Sequence, residues 1–79
     1  MLSSLYNSKM DYKHSLGRNI KVERVRKSIT QEKFAELIDM SLSHVSKIEQ
    51  GLTSPTAYAL FKMAKVLNIP MEDFFKGIE

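Results

Sequence analysis

Between Leu42 and Gln50 the residues LSHVSKIEQ separate into two helical faces. Leu42, Ser43, Ser46, Lys47 and Gln50 fall on one face, and Val45 and Ile48 fall on another. The apolar pair is suited to packing inward. The other face offers hydroxyls, a carboxamide and one ammonium. Those groups can exchange hydrogen bonds with a ligand, but none is set up as a nucleophile or a general base. The rest of the chain shows no paired carboxylates, no nucleophile–base constellation and no glycine-rich phosphate loop, so an enzyme is not expected. His14 and His44 lie far apart in sequence and cysteine is absent, which leaves no convincing metal site; no cofactor is implied.

A recognition face of this kind needs elements that hold it. A first helix is expected from about His14 to Lys27, with Leu16, Ile20 and Arg24 in one stripe at spacing four. Thr30 offers its hydroxyl as N-cap to a second helix, about Gln31 to Ile38, whose apolar stripe is Phe34, Leu37 and Ile38. Ala35 is small enough for a close helix crossing. Asp39 and Met40 form a break, Ser41 caps a third helix to about Gln50, and Gly51 is the usual left-handed stop. Pro55 disfavours helix at Ser54, and Thr56 caps a fourth helix to about Leu67 with Leu60, Met63, Ala64 and Leu67 inward. After Asn68 and Pro70, MEDFFKG makes a short fifth helix with Glu72 and Asp73 near its positive end. Phe74, Phe75 and Ile78 suit either the core or a subunit interface. Residues 1–12 read as a loosely ordered arm, because Ser3, Ser4, Asn7 and Ser8 disfavour helix. The domain is then 13–79. No stretch alternates with period two for long, so the fold class is all-α.

The totals agree with one small domain. The chain has 79 residues, and its 43% apolar share suffices for a packed core without disulfides or a thiolate metal site. No apolar run approaches the roughly 20 residues that cross a bilayer, and the N-terminus lacks a secretory pattern, so a cytoplasmic protein with no membrane role is expected. The net charge of +3 is unevenly placed: Lys13 to Lys27 holds six basic residues against Glu23, while Glu72, Asp73 and Glu79 face Lys76 alone after Asn68. A chain basic at one end can orient toward a polyanion, although solvated helix faces often carry the same pattern.

A helix, a tight turn and a second helix with a small-sided polar outer face has a physical use. Such a helix can enter a DNA major groove about 12 Å wide, while the preceding helix crosses the backbone. TQEKFAELIDMSLSHVSKIEQG also resembles the helix-turn-helix of the phage-repressor and Cro type, the Xre family. The resemblance rests on Thr30-Gln31, Phe34-Ala35, the run Val45 to Glu49, and Gly51, and it extends over residues 14 to 75. It implies a compact five-helix lambda-repressor-like domain that binds double-stranded DNA as a homodimer on a two-fold operator, regulating transcription. By the resemblance, Leu42, Ser43, Ser46 and Lys47 stand at base edges, and Gln31, Gln50, Thr53 and Thr56 stand at the DNA backbone. His44 suits a phosphate contact or no contact at all. Arg24 and Glu49 match a structural pair joining the first helix to the end of the third.

Three positions depart from the family pattern. Leu42 replaces a common polar reader and is suited to a thymine methyl, a core contact or a dimer contact. Glu23 replaces an often apolar residue, and Ser28 replaces a frequent glycine. Gln31, Ser43 and Lys47 each have a plainer use as solvated polar residues. A different function for the whole fold is a protein-interaction module or antitoxin-type partner that acts through a protein.

Overall fold

The structure, a computed structural model, describes the backbone of residues 2–78 and the side chains of residues 12–78. Its elements are α1 (Leu2–Arg26), α2 (Gln31–Leu37), α3 (Leu42–Glu49), α4 (Ala57–Leu67) and a closing 3-10 turn (Met71–Phe75). There is no strand among the described residues. The five-helix expectation becomes four α-helices and a 3-10 turn, because Pro70 precedes a segment too short for a settled α-helix.

The start of α1 corrects a second expectation. The arm of residues 1–12 is helical from Leu2 onward, while Met1, Glu79 and the side chains of 2–11 lie outside the described residues. No glycine or proline precedes Gly17. Once a helix exists downstream, each added residue gains a hydrogen bond without a new nucleation cost, and the weak aversion of serine and asparagine is overridden. Tyr12, assigned to the arm, packs against the core and donates its hydroxyl to Ser54 Oγ at 3.1 Å.

Three helices begin with a side-chain cap. Thr30, Ser41 and Thr56 accept from the amides of Lys33, His44 and Ala59 at 3.1, 3.0 and 3.0 Å. All four helices stop in one way, through a left-handed residue and a pair of crossed backbone bonds. After α1, Ser28 N–H donates to Val25 O and Ile29 N–H to Arg24 O. Asp39, Gly51 and Asn68 hold the corresponding place after α2, α3 and α4. Of these four residues only Gly51 is free of the Cβ penalty, which is about 1–2 kcal/mol for an ordinary residue. It is less for Asp39 and Asn68, whose short polar side chains tolerate the left-handed region. The φ of 58° at Ser28 explains why glycine is frequent there in the family. Gly51 has a second constraint, since a Cβ on it would lie 2.5 Å from His14 Nδ1.

The core joins Leu16 and Ile20 of α1, Phe34, Ala35 and Ile38 around α2, Val45 and Ile48 of α3, four residues of α4, and Phe74. Leu37 does not join it. Expected in the α2 stripe, it is 46% exposed, because α2 is covered by α3 and only thinly by α4. Phe74 is fully buried whereas Phe75 is 40% exposed, and Ile78 packs partly against the core. Asn19 fastens the 3-10 turn to α1, donating from Nδ2 to Phe74 O at 2.8 Å and Lys76 O at 3.0 Å.

α1 crosses the end of α3 at Gly17, where a Cβ would overlap the carbonyl oxygen of Ile48 and lie 2.8 Å from that of Glu49. These are backbone atoms and cannot swing away. Alanine favours helix over glycine by about 1 kcal/mol, yet overpacking costs about 1–3 kcal/mol. We expect Gly17→Ala to lower the urea midpoint, a net loss of up to about 2 kcal/mol. An unchanged or raised midpoint would show that the crossing is looser than described.

Candidate nucleic-acid interface

One buried ion pair joins the end of α3 to α1. Arg24 Nε lies 2.7 Å from Glu49 Oε2 and Nη2 lies 3.0 Å from Oε1, a two-pronged contact with side chains 9% and 2% exposed. The third guanidinium nitrogen, Nη1, donates to Ile29 O at 2.6 Å. The guanidinium thus ties together the end of α1, the link to α2 and the end of α3. Gln31 Nε2 also donates to Glu49 Oε1, at 3.0 Å. Among the described residues no buried side-chain nitrogen or oxygen lacks a partner.

Glu23, the unusual helix-one residue, is also buried and lies 3.6 Å from Arg26 Nη1. The arginine reaches back one turn from solvent, so an acidic side chain is accommodated where an apolar one is common.

Above that anchor, α3 turns Val45, Ile48 and Glu49 inward. Leu42, Ser43, His44, Lys47 and Gln50 are exposed and Ser46 is half-buried. Lys47 has no ion pair among the described residues. Gln50 Nε2 donates to Ser46 Oγ at 2.8 Å, which leaves the serine its own proton to donate. Leu42, at 43% exposure, is not a core residue.

The residues expected at the DNA backbone are arranged less uniformly. Gln31 is half-buried with one amide hydrogen spent on Glu49, Thr53 is half-buried, and Thr56 is the exposed cap of α4. His44 and Thr56 line one open groove together with Met40, Tyr58, Ala59 and Lys62. Sequence reasoning missed Gly17, Asn19, Tyr58 and Lys62. A glycine and an asparagine inside a helix are each unfavourable, and that was the available signal for the first two. The last two carried none. Among the described residues no three His, Asp or Glu side chains are grouped to hold a metal, and no helix is long and apolar enough to cross a membrane.

Comparison with known proteins places the fold in a family. The helix-turn-helix family HTH_3 matches residues 20–74, most of the chain. The HTH-type transcriptional regulator YazB of Bacillus subtilis (strain 168) is 39% identical over 57 residues, covering 72% of this chain and 83% of YazB. A transcriptional regulator in the ATPase CF(0) region of Rhodospirillum rubrum is 30% identical over 64 residues, covering 81% of this chain and 59% of that protein. Among solved structures, the restriction-modification controller protein C.AhdI of Aeromonas hydrophila superposes with a TM-score of 0.75 at 26% identity, covering 78% of this chain and 94% of C.AhdI. The chain belongs to the HTH_3 helix-turn-helix family.

The buried pair yields a stability prediction. Cutting Glu49 to alanine leaves the Arg24 guanidinium buried without its counter-charge, which should cost about 3–5 kcal/mol in urea unfolding. Removing both partners should cost less than the sum of the single losses, because the stranded charge disappears. A loss below about 0.5 kcal/mol for Glu49→Ala, small even for a surface pair, would remove the pair from its central place.

Proposed function

We propose that this protein is a sequence-specific transcriptional regulator that binds a two-fold operator as a homodimer, with α3 in the major groove. The observation that carries the reading is the outward face of α3. Leu42, Ser43 and Lys47 stand exposed on a helix whose rotation is set from beneath by Arg24 and Glu49. In this reading Leu42, Ser43, Ser46 and Lys47 meet base edges, Leu42 against a thymine methyl. Gln31, His44, Gln50, Thr53 and Thr56 hold the backbone. Glu49 takes one hydrogen of the Gln31 amide and leaves the other for a phosphate. Control would come from concentration, overlapping sites or a partner protein, as suits a phage-type repressor, an antitoxin or a restriction-modification controller; the last is the class named for C.AhdI.

A second reading, a protein-interaction module, is favoured by the apolar exposure of Leu37 and Phe61 at 46% and 48%. Salt separates the two, since each neutralised phosphate adds about −0.9 to the logarithmic slope of DNA affinity and a protein contact need not.

Dimerisation is assigned to the C-terminal segment, and within it to Phe75, because Phe74 is spent on the core. Sedimentation of the parent beside Phe75→Glu should show a dimer weakened by the substitution. A parent that is monomeric both free and on DNA ends the two-fold reading.

Reading and holding can be told apart by competition binding over single-base operator variants at fixed salt. Lys47→Ala should flatten the preference at one position of each half-site and weaken the best site by about 1–3 kcal/mol. Gln31→Ala should weaken every variant by a similar factor. Equal weakening of all variants by Lys47→Ala would reduce Lys47 to a phosphate contact.

A further inference from the structure

The groove beside α3 contains two residues with no role in the reading face. His44 of α3 and Thr56 at the head of α4 come together there with Tyr58 and Lys62 of α4, around a volume of about 190 Å³ with Met40 and Ala59 in its lining. The lining supplies an ammonium, an imidazole and two hydroxyls, and no carboxylate. Tyr58 is 68% exposed. The Lys62 ammonium rests 4.9 Å from the centre of the Tyr58 ring and has no acidic partner among the described residues. α4 contains no acidic residue at all.

We infer that Tyr58 and Lys62 form, with His44 and Thr56, a second phosphate-gripping flank of the interface, binding one backbone phosphate of the duplex beside α3. The inference rests on the DNA-binding reading and extends it to two residues beyond the helix-turn-helix. Three features favour an anion. Hydrogen-bond donors from α3 and α4 line one concavity, its lining holds no carboxylate, and the Lys62 ammonium stands against the Tyr58 ring. Continuity favours DNA as its source, because His44 belongs to α3 itself, one residue beyond Ser43. Lys65 provides an internal contrast. It lies one turn along α4 against Phe61, 5.6 Å from that ring, and does not line the groove.

The test is fluorescence anisotropy of the full chain on a duplex selected from random sequences, over a range of potassium chloride. Lys62→Gln, which keeps much of the stem, should weaken every single-base variant by a similar several-fold factor and make the logarithmic salt slope shallower by about 0.9. Tyr58→Phe should weaken all variants without changing the slope, since it removes a neutral donor. Lys65→Gln makes the same charge change and should leave the slope near the parent value. Equal slope changes for Lys62→Gln and Lys65→Gln would reduce the effect to net charge and overturn the flank, as would unchanged affinity in both Lys62→Gln and Tyr58→Phe. A parent that binds no selected duplex sinks the DNA-binding reading itself, a result distinguishable from either.

Discussion

The buried contact between Arg24 and Glu49 is the constraint on which the arrangement depends. Two buried charges are expensive to desolvate, and an apolar pair of similar volume would serve stability as well or better. What an ion pair adds is direction. With both carboxylate oxygens engaged and the third guanidinium nitrogen on Ile29 O, the pair favours one rotational setting of α3 against α1. Rotation matters for a helix of eight residues, because a slip of one residue turns its faces by about 100°. Such a slip would carry Lys47 from solvent toward the space that Ile48 fills.

The same economy appears in the packing. α2 has seven residues and α3 eight, well short of what holds a helix in isolation. Their order comes from side-chain caps at one end, left-handed stops at the other, and a shared core with α1 and α4. Gly17 brings α1 against the last carbonyls of α3, close enough for Arg24, two turns on, to reach Glu49. Asn19 serves the other side of α1, where two backbone carbonyls of the C-terminal segment would otherwise turn to solvent. One long helix is thereby the frame for both α3 and the closing turn.

The α3 positions proposed for reading are chemically sparse: one leucine, two serines, of which Ser46 is half-buried, and a single lysine. Few base contacts provide little discrimination, so the proposed regulator gains its affinity from backbone contacts and from doubling the half-site. The groove formed by α3 and α4 fits that economy. In the proposed complex it would add the Tyr58 hydroxyl and the Lys62 ammonium beside α3 without enlarging the reading face.

Local chemistry carried much of this fold into view from sequence. Thr30, Ser41 and Thr56 act as the caps their types and spacing indicated, and Leu16, Ile20, Leu60, Met63 and Leu67 lie on the faces their periodicity assigned. Caps and stripes are decided within a few residues, by bonds a helix end needs wherever it occurs. Periodicity names a face but not the neighbour that covers it, so Leu37 shares the α2 stripe and is left open, and Phe74 is buried while Phe75 is not. The helical residues 2–12 were hidden because weak propensities yield to a helix already formed downstream. The Gln31 bond to Glu49 and the Asn19 bonds to the C-terminal carbonyls join residues far apart in the chain, and His44 and Lys62 line one groove from different helices. Those contacts were settled only by tertiary structure, because each depends on the distance and rotation between helices, which backbone crossings such as the one at Gly17 determine.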